Sequence, residues 1–499
     1  MKKRLTAIVL IALAAAAVFF IGKSGLPIRE KTQESESVLL GSGKDSIYIW
    51  YTDDAISPYI SSAAVAYNEA HDTRIVPVLE SGLDYMETIN DSSINSNVPD
   101  MYIISHDALE KAYLAGLAKE IEPSFDLSSA YVDEALYAAT YKDKVIGYPF
   151  YFETSSLLYN ETYLRDFALK QLEQDAAAAK AEAEAQSEQT ASQQDDTSAS
   201  GEFTEEQIAD KMTELLPQSL DDILNFADNY DAPEQVESVF KWDVTDIFYN
   251  YFFVGNAINM GGPCGFDTSQ VDIYNQNAIE SMKAYQNLNN FFSIDTSEIS
   301  YESTLEDFMQ GKVVFTIATS DAVAILEQAK AEGTFDYDYG FLTTPSIREG
   351  EESRSLSMTN CIAINPYSKA QEIANDFAGF LCTEYNDILY DRTGKVSAEK
   401  DVTYSNGALY VFAKEYETSA PMPKMIETGN YWVQLEAAFA EIWNGADANQ
   451  KLKELSEKIK EQITGQKVEE TYIQDEESSE EVEYLDEEYY RQQALEDEE

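Results

Sequence analysis

An α/β fold with a mainly parallel sheet is predicted for the bulk of the chain, and three features predict it. First, compact β-prone runs alternate with stretches of helical length: Ser46–Tyr51, a helical stretch to about Ala70, Arg74–Leu79, then Asp100–Ile104. That alternation specifies βαβ units, whose ligands bind beyond the strand carboxyl ends. Second, 499 residues with 44% hydrophobic and 12% aromatic content can build two or three sizeable cores. Third, Cys264, Cys361 and Cys382 are the only cysteines, so packing rather than a disulfide framework must hold the fold. They are read as small buried hydrophobes.

Further along, Val145–Phe150 and Ser156–Asn160 read as two strands. Residues 172–201 then turn to Ala, Glu, Gln, Ser and Asp, including Ala176–Ala179, a composition that cannot bury a core. This segment is expected to be a helical extension fraying into a flexible insertion. Helices are expected at Phe203–Leu216, Leu220–Tyr230, Thr245–Phe253 and Ala278–Phe292, with a strand at Val313–Ile317. Phe341–Leu342 and Cys361–Ile364 read as strands returning to the first lobe. Asn365-Pro366 punctuates the step to a helix from Lys369 to about Leu381, and Tyr431–Trp443 and Asn449–Ile463 are the last ordered helices.

The N-terminus carries an export signature, Met1-Lys2-Lys3-Arg4 followed by an uncharged run from Leu5 to Ile21. Seventeen residues of helix span about 25 Å, the short end of what crosses a bilayer. Val18-Phe19-Phe20-Ile21 prolong the apolar run past the small residues Ala14–Ala17, and no cysteine is near enough for lipid attachment. Residues 1–22 are therefore expected to be an uncleaved signal anchor, a cleaved signal peptide being the alternative, and 23–44 a spacer. The formal charge of -57 excludes nucleic acid and anionic membrane surfaces as partners, because both repel it. A cationic ligand stays open. Residues 468–499 hold fifteen Asp and Glu against one Arg and read as a disordered acidic tail.

Catalytic and metal signatures are missing. His71 and His106 are the two histidines, with no partner at ligand spacing, so neither a zinc site nor a Ser-His-Asp set can be assembled. Gly41-Ser42-Gly43-Lys44 fails as a phosphate loop, since Val38 stands where its first glycine belongs. No enzymatic activity, metal or cofactor is expected.

The order of elements resembles the family 1 extracellular solute-binding proteins of the maltose/maltodextrin type, receptors of ABC importers. The resemblance covers residues 45 to 465 and rests on Ile47-Tyr48-Ile49-Trp50, Pro99–Asp107, Tyr113–Ala118, Gly147-Tyr148-Pro149, Leu158-Tyr159-Asn160, Phe308–Val313, Ala363–Pro366 and Pro421-Met422-Pro423. It implies a two-lobed periplasmic-binding-protein-like fold with a ligand cleft and a hinge. The first lobe would hold 45–150 and 340–384, the second 151–339 and 385–467, with Tyr151, Phe152 and Glu153 at the first crossover. It also implies a monomer that binds a carbohydrate and hands it to ABC permease subunits.

Site residues carried over by the resemblance are Asp54, Asp107 and Glu153 as acceptors for sugar hydroxyls, Trp432 with Tyr431 as a stacking platform, and Met422 in its Pro-rich approach. Asp246 and Tyr249 are candidates in the second lobe, and Asp321 stands where a second tryptophan is expected. Ala55, Ile104 and Ala108 also depart from the maltodextrin pattern. Asp54 and Asp107 equally suit helix N-caps, Trp432 equally suits a core, and His106 reads as structural. Two further functions remain beside the sugar receptor: a receptor for a cationic solute such as a polyamine, motivated by the converging carboxylates, and a surface adhesin reusing the fold.

Overall fold

The computed structural model describes residues 46–95, 98–188, 203–292, 294–347 and 353–474. The expected anchor 1–22, the expected spacer 23–44, residues 189–201 of the low-complexity stretch and residues beyond 474 lie outside the described residues. Residues 468–474, expected to begin a disordered tail, instead pack on the last helix, Asn449 donating to the Ile473 carbonyl at 2.8 Å and Lys460 pairing with Glu470 at 2.6 Å. No helix among the described residues is long and apolar enough to cross a membrane.

Within them the strands are, in chain order, β1 (Ile47–Tyr51), β2 (Ile75–Leu79), β3 (Met101–Ser105), β4 (Thr140–Tyr141), β5 (Lys144–Val145), β6 (Tyr148–Asn160), β7 (Ser238–Phe240), β8 (Val313–Thr319), β9 (Tyr339–Leu342), β10 (Leu356–Ile364), β11 (Val396–Ser397) and β12 (Ala420–Pro421). The main sheet runs β2-β1-β3-β10-β6-β8-β7, with β9 and β11 on β6 and β12 on β10. It forms the spine of a two-lobed α/β fold. β1 is parallel to β2 and β3, and β7 to β8. β10 and β6 run antiparallel to their neighbours β3 and β8. The sheet is thus mixed rather than mainly parallel, because the chain crosses between its halves through bare strands instead of helical crossovers.

Period-2 alternation explains the burial of the first half. Ile47, Ile49 and Tyr51 of β1 and Met101 and Ile103 of β3 face the helix Ser57–His71, whose Tyr59, Ile60, Ala63, Ala64 and Tyr67 fill one core. Trp50, Tyr102 and Ile104 face the opposite side and pack with Leu109, Ala112 and Leu117. Strands covered on both faces carry apolar side chains in both phases, which is why the runs look continuous in sequence. A second large core gathers Phe226, Phe240, Trp242, Tyr285, Phe315 and Trp443 around β7 and β8.

β6 is a single strand of 13 residues where two had been expected. At about 3.3 Å per residue it spans roughly 43 Å. One edge pairs with β10 and then with β9; the other pairs with β11 and then with β8. Both halves of the sheet hang on this strand. β9 was expected to return to the first lobe, but it pairs with Leu157–Asn160 of β6, the same stretch that pairs with β8. Only β10 makes the return, to β3. The helix Glu161–Glu188 carries the Ala/Glu-rich sequence through 188 as regular helix, in keeping with its Ala and Glu propensity. Residues 205–230 form two helices headed by capping boxes at Thr204/Gln207 and Ser219/Asp222.

Cys361 and Cys382 are buried and Cys264 half-buried, and none of the three is in a disulfide.

Phe152 of β6 stacks on Tyr416 at 3.9 Å between centroids and 2° between planes, and the Tyr416 hydroxyl meets Thr359 of β10 at 2.6 Å. Phe152→Ala is expected to lower unfolding stability by about 3–5 kcal/mol, the range for a buried Phe, as read from the denaturant midpoint. A loss below about 1 kcal/mol would mean that this stack does not secure β6.

Candidate ligand-binding site

The register between β6 and β10 places Met358 opposite Glu153 and Asn360 opposite Tyr151. Side chains alternate across a strand, so these four share one face while Phe152 and Thr359 share the other. The second face is sealed by Tyr416 and by Thr154, whose hydroxyl meets Ser355 and the Leu356 carbonyl. Polar groups are therefore left for the first face. Thr52 and Asp53 follow the end of β1 and Ser105 closes β3, so their side chains reach the same region from the strand carboxyl ends. A cavity of about 240 Å³ opens there, lined by Thr52, Asp53, Tyr85, Ser105, Tyr151 and Asn360 among others. Its position is the one expected for ligand in an open α/β sheet.

Beside this cavity sits Lys395. Its ammonium lies 2.6 Å from a Glu153 oxygen, 3.2 Å from an Asp53 oxygen and 5.6 Å from the centre of the Tyr151 ring. Burial alone would push this amine down, but Glu153 and Asp53 outweigh it and hold its pKa above the ordinary lysine value. Gly394 delivers the side chain. It ends the helix Leu389–Thr393 at φ 71°, a left-handed turn that suits glycine, and the chain then enters β11 against Tyr151 and Phe152. Lys395 has no motif signature and was missed from sequence. The scarcity of basic residues among so many carboxylates was the one hint that a counter-charge had to be found.

The expected site residues divide. Glu153 does not line the cavity but lies beside it, paired with Lys395 on the face of β6 that carries Tyr151. Asp54, however, is an exposed first residue of a short 3-10 turn and accepts from Ser57 at 3.1 Å; Asp53 is both the capping residue and the one that reaches the cavity. Asp107 lies in the turn after β3 and accepts from the Ser105 hydroxyl. Asp246 caps the helix Ile247–Asn250 by accepting from the Phe248 amide at 2.8 Å, an N-cap role. Tyr249 stacks on Tyr301 at 5.0 Å and 12°, and the Tyr301 hydroxyl donates to Asp321 at 2.9 Å, as does Thr319. Thr319, at the end of β8, pairs with Ser155, two residues beyond Glu153 on β6, so the cluster adjoins the next stretch of that strand.

Met422, Tyr431 and Trp432 form a third group. Tyr431 is completely buried in the second core and presents no face on which a ligand ring could stack. Trp432 is half-buried, edge-on to Tyr251 at 5.5 Å. Met422 offers its carbonyl to His106 Nε2 at 3.0 Å. A larger cavity, about 330 Å³, lies among Tyr137, Tyr251, Gly255, Arg354 and Pro421, and none of the nine expected residues lines either it or the 240 Å³ cavity. Among the described residues no three His, Cys, Asp or Glu side chains converge as metal ligands.

His106 and Lys424 brace the floor of the site. The Thr359 amide donates to His106 Nδ1 at 2.9 Å, so Nε2 carries the proton and donates to Met422. Burial, with the nearby Lys424 charge, pushes His106 down to about 4. Lys424 is itself buried, which lowers it to about 8, and it donates to the Tyr137 and Ala138 carbonyls at the end of the helix Asp133–Ala139. That position complements the negative end of the helix dipole.

A profile described as "Bacterial extracellular solute-binding protein" matches residues 62–407. The chain is 22% identical over 441 residues to the galactooligosaccharide-binding protein of Bacillus subtilis, covering 86% of this chain and 92% of that protein. It is 21% identical over 426 residues to the maltodextrin-binding protein of the same organism, covering 82% and 89%. Its fold is similar to that of the extracellular solute-binding protein from Staphylococcus aureus in complex with maltose, with a TM-score of 0.66, 20% identity and coverage of 85% of this chain and 99% of that one.

His106 gives a pH signature. An ordinary histidine titrates near 6.5 and this one near 4, so between those values the unfolded chain binds more protons than the folded one. Its contribution is complete above pH 6.5 and is lost as the pH falls toward 4, by about 3 kcal/mol at most. Relative to His106→Asn, the wild-type advantage in denaturant unfolding is expected to be largest at pH 7 and to shrink through that window. An advantage constant from pH 7 to 4 would contradict this assignment.

Proposed function

Because this chain belongs to the bacterial extracellular solute-binding proteins, we propose that it captures a neutral oligosaccharide outside the membrane and delivers it to the transmembrane subunits of an ABC importer. The observation that carries the reading is the cavity at the ends of β1 and β3, where hydrogen-bonding groups of Asp53, Ser105, Tyr151 and Asn360 meet one exposed face of the sheet. Carboxylates and amides that accept and donate several hydrogen bonds beside aromatic rings suit a ligand with hydroxyls around an apolar ring. The B. subtilis relatives named for galactooligosaccharide and maltodextrin binding support the same ligand class.

In this reading Asp53 takes the role first given to Asp54, Glu153 and Asn360 bind from the crossing strands, and Trp432 supplies the stacking face over the Tyr251–Tyr431 base. Asp107, Asp246, Tyr249, Asp321 and Met422 shape the walls. The lobes meet at β6 and β10, with β9 assigned to the second lobe, and closure about these strands engages ligand from both sides. Residues 1–22 hold the receptor at the outer membrane face. Of the carboxylates that motivate the cationic-solute alternative, Glu153 already shares an internal ammonium with Asp53, which weakens that reading.

Calorimetric titration with maltose to maltotetraose and with galactooligosaccharides is expected to give micromolar or tighter binding for at least one series. Trp432→Ala should weaken it about tenfold or more. Absence of binding at millimolar sugar, while another solute class binds, would overturn the proposal. Unchanged affinity in Trp432→Ala would remove the platform role alone.

A further inference from the structure

Two carboxylates and the face of a tyrosine are the groups that recognise an ammonium ion: charge-assisted hydrogen bonds from the oxygens and a quadrupole attraction from the ring. Asp53, Glu153 and Tyr151 form such a cage, and the chain fills it with its own Lys395, at 3.2 Å, 2.6 Å and 5.6 Å. We propose that Lys395 is a tethered counter-cation that closes the site to cationic solutes and selects neutral, hydroxyl-bearing ligands. The identity of the neutral ligand rests on the sugar reading given above; the exclusion of cations does not.

Three features of the geometry support the role. A side chain held to β11 by its backbone competes with any free amine at high effective concentration, so the cage cannot be occupied from solution at modest amine levels. Both carboxylates lie on the ligand side: Asp53 lines the 240 Å³ cavity with Tyr151, and Glu153 shares the face of β6 and β10 that carries Tyr151 and Asn360. The ammonium has three N–H donors, and the carboxylates of Asp53 and Glu153 are its hydrogen-bonding partners among the described residues, which leaves one donor for a ligand hydroxyl. In a chain of net charge -57 the surrounding field attracts cations, so a receptor for neutral solutes needs a built-in means of refusing them.

The test compares wild type with Lys395→Ala, Lys395→Met and Lys395→Arg, each first shown to melt cooperatively. Each is titrated calorimetrically with putrescine and with spermidine at about 20 and 200 mM salt, a range over which exposed charge attraction is strongly screened. Wild type and Lys395→Arg are expected to ignore both amines. Lys395→Ala and Lys395→Met should bind them at least about a hundredfold more tightly than wild type, with affinity falling as salt rises. Neutral variants that still ignore amines, or wild type that binds them as tightly as the variants do, would overturn the proposal. If no sugar binds wild type yet the neutral variants gain amine binding, the sugar reading falls and the exclusion role stands.

Discussion

β6 has to satisfy two opposed demands in consecutive residues. Phe152 and Thr154 must seal the side occupied by Tyr416 and Ser355, while Tyr151 and Glu153 must stay on the side where ligand enters. The alternation of a pleated strand meets both demands at once, and a one-residue slip would exchange them. Because the same strand pairs with β10 and β9 on one edge and β11 and β8 on the other, its register sets the alignment of both halves of the sheet and of the residues that meet in the site. The register shift opposite Asn360/Cys361 leaves Phe150 as an extra residue in β6 itself, a bulge placed directly before Tyr151.

Electrostatics build on that frame. Two carboxylates side by side on a partly buried face repel each other; the Lys395 ammonium between Asp53 and Glu153 offsets that repulsion and orients both. Lys395 reaches them because Gly394 turns the chain at a positive φ directly before β11. On the sealed face the same logic appears in neutral form, where His106 is fixed in one tautomer between the Thr359 amide and the Met422 carbonyl. Charge is admitted on the ligand side and kept neutral, or paired with a helix end as in Lys424, on the packed side.

Much of the fold was legible in the sequence, because strands buried on both faces announce themselves as apolar runs and helices by their caps and periodicity. β1, β2, β3 and the helices at Tyr431–Trp443 and Ala448–Thr464 fall where they were read. The direction of β6 and β10 and the partner of β9 were not legible, since pairing is a property of the assembled sheet and not of any one segment. The site was legible in part. Glu153 stood out as a carboxylate inside an aromatic run. Asp53 and Asp54 are adjacent and chemically alike, and only the backbone turn after β1 decides which one reaches the cavity. Lys395 is 242 residues from Glu153 in the chain, and no local pattern could join them.

The central claim is that neutral sugar binds at the carboxyl ends of β1 and β3 against the exposed face of β6 and β10. A crystal structure of the protein with the oligosaccharide that binds most tightly in calorimetry tests it directly. The account predicts sugar hydroxyls within hydrogen-bonding distance of Asp53, Glu153 and Lys395 and a ring on Trp432. Sugar seated in the cavity near Gly255 and Arg354, out of reach of Asp53 and Glu153 and with Lys395 still paired and untouched, would contradict it.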